Sequence, residues 1–222
     1  MPSLLYCVTQ PSPAVSIAAG VSEAAVCSTE LLGVRVYWSD LDHPEAALGE
    51  TESLKKATQQ FHQVLREVLA VTTPIPFQFP TLLEGAETFE QHLAPEQEFY
   101  RQALERIDNA VQYEIVGTWD DQQQADLATP VSGREYLKRR QESLARVAAV
   151  ESKLKSVTAD SVREWRSRQE RKSYRWFALV PRDHRERFIA ALRTAGASQG
   201  VRLRLSGPWP PSQFVTPPGD RG

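Results

Sequence analysis

The four histidines and two cysteines are the residues of this chain best suited to metal binding or nucleophilic chemistry. No histidine lies three or four residues from another, and neither cysteine is close to one, so the spacing typical of zinc ligands is missing. The six residues are His43, His62, His92, His184, Cys7 and Cys27. We therefore predict no metal site, no cofactor and no catalytic residues in this set.

The sequence also lacks the local patterns that cradle phosphate or present a nucleophilic serine. It contains no G-x-x-x-x-G-K-[ST], no G-x-G-x-x-G and no G-x-S-x-G. The acidic pairs at 40/42 and 120/121 lie in turn or linker patterns, where solvated carboxylates are common. His62 flanks an apolar helical stripe without an identifiable nucleophile partner, so we interpret it as a packed or interfacial residue. The prediction is that the chain is not an enzyme.

Charge is divided unequally along the chain, although the net charge is only −2. Residues 1–132 contain 6 Lys and Arg against 19 Asp and Glu, a balance of −13. Residues 133–222 contain 20 Lys and Arg against 9 Asp and Glu, a balance of +11. The two halves therefore either attract each other within one molecule or meet different partners.

The strongest local charge signal is the basic run at residues 163–172, which is followed by Tyr174-Arg175-Trp176. Basic residues interleaved with aromatics can bind nucleic acid through phosphate charge and stacking. The run also fits a solvated helix face, and Glu164 and Glu170 dilute its charge. We expect no nucleic acid but a salt-sensitive contact with an acidic protein surface, which includes the acidic N-terminal half of this chain. Arg163, Arg166 and Arg171 are the residues expected to carry this contact.

No apolar run reaches the length of roughly 18 to 20 residues that a membrane helix needs, so we predict no membrane partner. The first residues lack a basic region and a cleavage site, and predict a strand instead of a signal peptide. Cys7 and Cys27 both lie in strand-like segments and predict buried thiols in a reducing cytoplasm, although a disulfide between neighbouring strands stays open.

The order of elements predicts an α+β protein of two domains, with mostly antiparallel sheets and packed helices. Early strand candidates, including residues 15–19, precede a helix with Thr51 as its N-cap candidate and an apolar stripe from Leu54 to Leu69. Capping-box spacing at Thr81–Glu84 and Ser132–Glu135 predicts two further helix starts, and the helical pattern after Tyr136 reaches about Lys172, with a break at 156–160. The predicted divisions are an N-terminal domain at 1–119, a polar linker at 120–132, a C-terminal helical and ferredoxin-like domain at 133–206, and a Pro/Gly-rich tail at 207–222.

The start of that tail combines stiffness with large apolar side chains. Its prolines favour an extended backbone, which lowers the entropy lost on docking, and Trp209 and Phe214 supply apolar anchors. The segment is either a clamp on the C-terminal domain, anchored by Trp209, or a docking peptide for a partner. It reads Gly207-Pro208-Trp209-Pro210-Pro211-Ser212-Gln213-Phe214.

Three segments, in this order, resemble the GvpF/GvpL family of gas vesicle proteins. A histidine-bearing helix with His62 precedes a strand that is similar to the family's P-x-R-F-G-T, with Phe79 and Thr81 matched and Gln78 and Pro80 replacing Arg and Gly. The family's G-x-x-Y-L-x-x-R resembles the segment with Gly133, Tyr136 and Arg140. The tail is similar to G-P-W-P-P-Y-S-F, with departures at Ser212 and Gln213.

The resemblance covers nearly the whole chain. It implies an accessory or minor structural protein of gas vesicles, located at the vesicle in the cytoplasm. It further implies contacts with the shell protein and other accessory proteins during assembly, two α+β domains with a ferredoxin-like second domain, and no catalytic residues. The rival interpretation is a cytosolic ligand-binding or regulatory protein with a ferredoxin-like domain, which a pocket with convergent titratable groups would favour.

Overall fold

The computed structural model describes residues 1–119, 132–169, 174–195 and 201–215. The chain forms two compact units, one of Met1–Val111 with Trp209–Gly222 and the other of Gln112–Pro208. Each unit is built on a four-stranded sheet with packed helices. The predicted α+β class with antiparallel sheets is confirmed.

The first sheet has the strand order β2-β3-β1-β4. Its strands are β1 (Ser3–Thr9), β2 (Cys27–Leu31), β3 (Val34–Asp40) and β4 (Ile75–Leu83). All seven residues of β1 are buried, because this strand lies between β3 and β4 and pairs antiparallel with both. The proline-containing β4 is an edge strand, which suits its sequence, since a proline cannot donate a hydrogen bond to a second neighbour.

Helices cover both faces of this first sheet. They are α1 (Pro44–Leu48), α2 (Thr51–Val71), α3 (Phe89–Leu93) and α4 (Gln97–Arg106). Phe61 and Val64 of α2 join a buried cluster that includes Tyr37 of β3. The next strand residue, Trp38, meets Phe89 of α3 edge-on, with ring centroids 5.1 Å apart. Because successive strand residues point to opposite faces, α2 and α3 pack on opposite sides.

Two local predictions for this unit are wrong. Residues 15–19, expected to be a strand, form no regular element. The helix start expected at Thr81 is instead the end of β4, where Thr81 pairs with Leu5. Its hydroxyl donates to the Gln78 carbonyl at 2.6 Å and caps no helix. The capping-box spacing occurs there by coincidence, and pairing with the buried β1 decides the conformation.

The second unit has the element order β-α-β-β-α-β of a ferredoxin-like domain. Its elements are β5 (Ala110–Trp119), α5 (Gly133–Val157), β6 (Glu164–Gln169), β7 (Tyr174–Pro181), α6 (Arg185–Ala195) and β8 (Val201–Trp209). The sheet order is β6-β7-β5-β8. The helix start predicted at Ser132 is confirmed, because Ser132 is the N-cap of α5 and its hydroxyl accepts from the Glu135 N–H at 3.2 Å.

The division between the units differs from the expected boundaries at 119 and 133. The strand β5, assigned from the sequence to the N-terminal domain, is a central strand of the second sheet, so the division falls inside it, after Val111. At the other end Gly207 and Pro208 continue β8 and belong to the second unit. The polar stretch predicts the wrong boundary, because strand pairing determines where the units divide. The expected linker lies outside the described residues, apart from Ser132.

The described part of the basic run is a strand and not a helix. The helix α5 ends at Val157, and residues 164–169 form β6, paired antiparallel with β7. Trp165 lies near Phe188 of α6, with ring centroids 6.5 Å apart, so the odd-numbered residues of β6 face the helices. Glu164, Arg166 and Arg168 therefore point to the opposite face, because successive residues of a strand alternate between its two faces.

The two cysteines occupy different environments. Cys7 on β1 is fully buried and Cys27 on β2 is exposed, so the expectation of two buried thiols is wrong for Cys27. Both are free thiols. Since β3 lies between β1 and β2, the two cysteines are not on adjacent strands.

Candidate interaction surfaces

The described residues offer little that could perform chemistry. Among them no three His, Cys, Asp or Glu residues are grouped as metal ligands. Burial raises the pKa of the Cys7 thiol far above neutral pH, so this sulfur stays protonated and unreactive. Burial likewise raises the pKa of Tyr6, whose hydroxyl accepts from the Val21 N–H at 2.8 Å and donates to Ser39. These groups hold the first unit together.

His62 and Phe79, two of the residues singled out from the sequence, meet around one core ring. The ring centroid of Phe61 lies 4.9 Å from Phe79 and 5.9 Å from His62. Phe79 is half-buried against the α2 side of the sheet, while His62 is exposed. Phe79 therefore has a packing role, and His62 presents its imidazole to solvent at the edge of the same cluster.

The second motif lies on the first two turns of α5. Gly133, Tyr136 and Arg140 are all exposed there. Nothing lies within 4 Å of where a Cβ on Gly133 would be, so no close approach requires a glycine at this position. The motif thus contributes surface and no core packing.

The tail motif has a buried anchor different from the expected one. Trp209 is 42% exposed, whereas Phe214 is fully buried, and Pro211, three residues before Phe214, is also buried. The Phe214 N–H donates to the Pro211 carbonyl at 2.9 Å, which closes a short 3₁₀ turn at Ser212–Phe214. The expectation that Trp209 clamps the tail on the C-terminal domain is corrected, because the tail from Trp209 belongs to the first unit and its smaller aromatic ring fills the core.

Gly207 is the one residue of the tail motif whose backbone demands glycine. Its φ is +125°, in a region that side chains avoid, and a Cβ there would lie 2.8 Å from the Gln112 carbonyl oxygen. Both residues belong to the second unit, where β8 runs beside β5. Pro208 and Pro210, on either side of Trp209, are half-buried.

The sheet of the second unit presents a basic surface on the side away from its helices. Trp176 of β7 donates its indole N–H to Glu151 of α5 at 3.2 Å, so Trp176 marks the helix side. Its neighbour Arg175 therefore points the other way, and Arg168 of β6 lies directly opposite Arg175 in the antiparallel register. Like charges in directly opposite positions destabilise a sheet.

A carboxylate on β5 compensates part of this charge. Arg175 donates to Glu114, and the other oxygen of Glu114 accepts from Ser206 of β8 at 3.3 Å. Alternation along β8 then places two further arginines on the same face as Ser206. We call this surface the arginine face; it consists of Arg166, Arg168, Arg175, Arg202 and Arg204, with Glu114 and Glu164 as its acidic members.

The sequence identified only part of the arginine face. Arg166 belongs to it, Arg163 is exposed just before β6, and Arg171 lies outside the described residues. Arg168 and Arg175 lie in or beside the basic run but were not among the predicted contact residues, because a helical interpretation of the run spreads its charges around a cylinder. Arg202 and Arg204 lie on β8, outside the run, and were missed. The signal that could have found them is the two-residue alternation of arginine in β6 and β8.

The two units also differ in charge. Gln112–Pro208 contains 19 Lys and Arg against 12 Asp and Glu, a balance of +7, and the remainder of the chain contains 7 against 16, a balance of −9. Much of the acidic excess lies between Glu84 and Asp108, where seven exposed carboxylates accompany Arg101 and Arg106. Charge thus separates by structural unit.

Comparison with known proteins identifies the family. The family model described as gas vesicle synthesis protein GvpL/GvpF matches residues 3–216. Gas vesicle protein L1 of Halobacterium salinarum is 24% identical to the chain, over 95% of this chain and 89% of its own length.

Solved structures share the fold over its whole extent. The crystal structure of GvpF from Anabaena sp. PCC7120 has a TM-score of 0.75 and 17% identity, covering 97% of this chain and 96% of that one. The crystal structure of GvpF from Microcystis aeruginosa has a TM-score of 0.75 and 18% identity, covering 97% of this chain and 99% of that one. No described helix is long and apolar enough to cross a membrane. Because the family model matches nearly the entire length of this chain, the chain belongs to the GvpL/GvpF family of gas vesicle synthesis proteins.

Proposed function

We propose that this chain is an accessory or minor structural protein of gas vesicles that binds the shell protein and other accessory proteins during vesicle assembly in the cytoplasm. It does so by protein contacts, with no cofactor and no catalytic step. The observation that carries the proposal is the arginine face, because it gathers five guanidinium groups on one sheet surface of a vesicle-family protein.

The cost of this surface in the isolated chain supports a role in binding. Opposed arginines such as Arg168 and Arg175 lower the stability of a sheet, and the face carries five arginines with Glu114 and Glu164 as its acidic members. An acidic partner surface is complementary to this excess of positive charge. Local rules are broken in this way most often at functional sites.

The aromatic residues near the arginines favour a protein partner over nucleic acid. Trp165 and Trp176 face the helices of their unit, and Trp176 is only 1% exposed. They cannot stack on bases at the opposite face of the sheet, which removes the stacking half of a single-strand binding surface. Guanidinium groups without stacking platforms suit carboxylates on a protein.

Charge at the arginine face should act mainly on the rate of association. Exposed charges steer encounter, and their removal lowers the association rate constant more than it raises the dissociation rate constant. The double substitution Arg166→Glu and Arg168→Glu should slow association with purified shell or accessory protein about tenfold at low salt, and change dissociation less than about threefold.

The matched control is the pair Arg187→Glu and Arg193→Glu on α6. It changes the net charge by the same amount, at exposed positions on the helix that covers the other side of the sheet. Stopped-flow mixing or surface plasmon resonance at two salt concentrations gives both rate constants. Equal slowing by the two pairs would reduce the effect to net charge, and the absence of binding to every vesicle protein would refute the proposed function.

A further inference from the structure

The helix α5 extends well beyond the part of it that packs against the rest of the second unit. Its buried residues, Val147, Val150 and Leu154, all lie in the C-terminal half. We call residues 133–146 the α5 arm, a stretch of about 21 Å at 1.5 Å per residue. Glu135 and Ser143 are the only described side chains of the arm that are even partly covered, and none is buried.

The arm nevertheless carries large apolar side chains. Tyr136, Leu137 and Leu144 are 46%, 59% and 44% exposed. At 100° per residue these three positions fall within one stripe about 100° wide, the width with which a helix usually faces a core. Isolated polar helices of this length are marginal in water, and apolar residues on an uncovered helix mark a contact.

The arm as a whole carries an excess of positive charge. The arm contains five basic residues against Glu135 and Glu142, and one of the basic residues, Arg140, lies within the stripe, four residues from both Tyr136 and Leu144. The other basic residues are Arg134, Lys138, Arg139 and Arg146. A surface of this kind is complementary to a helix whose own apolar stripe is bordered by carboxylates.

We propose that the α5 arm is a docking site for an acidic amphipathic helix of a partner protein, distinct from the arginine face. The inference rests on the proposed function, because it assigns a second surface to the same binding role. Tyr136, Leu137 and Leu144 pack against the partner's apolar stripe, and Arg140 pairs with a carboxylate inside the contact.

Charge argues against the two other occupants of such a helix. Two arms of this chain, each with an excess of three positive charges, repel each other when paired. A lipid surface requires a broader apolar face than three side chains, because stable interfacial binding scales with the buried apolar area. A partner helix needs only a short stripe of complementary shape.

Binding of synthetic helices to the full chain tests the proposal. The probe is a fluorescent amphipathic peptide of about 20 residues with a leucine stripe flanked by glutamates. Its counterpart has the glutamates replaced by lysines, and anionic vesicles of equal parts phosphatidylcholine and phosphatidylserine form the third arm. Fluorescence anisotropy, and sedimentation for the vesicles, measure binding. We expect the acidic peptide to bind and the other two probes not to bind.

Variants locate the contact. Leu137→Gln with Leu144→Gln should weaken binding of the acidic peptide at least about tenfold, because the apolar contact is lost while helix propensity is kept. Leu137→Met with Leu144→Met should retain binding. The matched control, Leu54→Gln with Leu82→Gln, changes two leucines that are 38% and 39% exposed in the first unit and should bind like the parent. Circular dichroism checks that each variant keeps its helix content.

Several outcomes overturn the docking site. These are no binding of the acidic peptide, undiminished binding by the glutamine arm variant, equal binding of the lysine peptide, or vesicle binding that depends on the arm. Titration of the same variants with vesicle proteins separates the two proposals. If the parent and the arm variant bind vesicle proteins equally, the arm site fails alone; if the parent binds the acidic peptide but no vesicle protein, the proposed function fails alone.

Discussion

Gly207 combines a positive φ with a close backbone neighbour, so a side chain at this position should destabilise the protein. A Cβ would both enter a disfavoured backbone region and approach the Gln112 carbonyl to 2.8 Å. Gly207→Ala should lower the free energy of unfolding by about 2 to 4 kcal/mol.

Gly133→Ala is the control for this prediction. It lies at the first position of α5 with open space around it, and should be neutral or stabilise by about 0.5 kcal/mol, since alanine loses less backbone entropy in a helix. Urea denaturation measures both changes. Equal stability of the Gly207 variant and the parent would show that the strand relaxes without cost.

Phe214 should anchor the tail more strongly than Trp209. Phe214 is fully buried, so Phe214→Ala should cost about 3 to 5 kcal/mol, whereas Trp209→Ala, at a 42% exposed position, should cost about 1 to 2 kcal/mol. Thermal or chemical unfolding of both variants decides the order. A tryptophan variant less stable than the phenylalanine variant would show that Trp209, and not Phe214, anchors the tail.

The residue types of the tail motif predicted an apolar anchor, but they did not predict which of the two aromatic residues is buried. Tryptophan is the larger ring and was the natural anchor, yet the turn from Pro211 to Phe214 directs the phenylalanine inward. The exposure of Cys27 and the burial of Cys7 likewise depend on strand order, since an edge strand leaves its side chains less covered than a central one. Neither outcome is written in the local sequence.

The strand pair β6 and β7 is an element that should gain stability when its opposed arginines are separated. Arg168→Thr removes the like charge opposite Arg175 and introduces a residue that favours strands, so it should stabilise by about 0.2 to 1 kcal/mol at low salt. High salt should reduce this gain, because exposed charges are screened.

Gln169→Thr, at the next position of β6, serves as the control because it makes a similar strand substitution without removing charge. Its effect should be near zero at both salt concentrations. The measurement is the free energy of unfolding over a salt series. A destabilised Arg168 variant would show that this arginine has a supporting partner and that the arginine face carries no strain.

Elements with a long periodic pattern followed from the sequence, while short polar ones did not. The stripe of α2 was predicted from apolar spacing, and the ferredoxin-like order is confirmed. The run at β6 was misread because five of its residues are charged or polar, so hydrophobic periodicity was faint. The arginine face was therefore visible only after strand register was known.

The whole molecule carries its charge by unit, with a balance of −9 for the unit that contains the first sheet and +7 for the unit that contains the second. The sequence showed this asymmetry, but its dividing point was taken from a polar stretch. Because β5 pairs with β7 and β8, Glu114 belongs to the basic unit and not to the acidic one. There it neutralises part of the arginine face. Long-range pairing of this kind cannot be read from local composition.

Vesicle formation in a strain that lacks this chain tests the central claim, that the protein assembles gas vesicles through its surfaces. The measurement is the number of vesicles per cell by electron microscopy after complementation with the parent, with Arg166→Glu/Arg168→Glu, or with Arg187→Glu/Arg193→Glu. We predict few or no vesicles without the chain, restoration by the parent and by the α6 pair, and poor restoration by the arginine-face pair. Normal vesicle numbers in the absence of the chain would contradict the account.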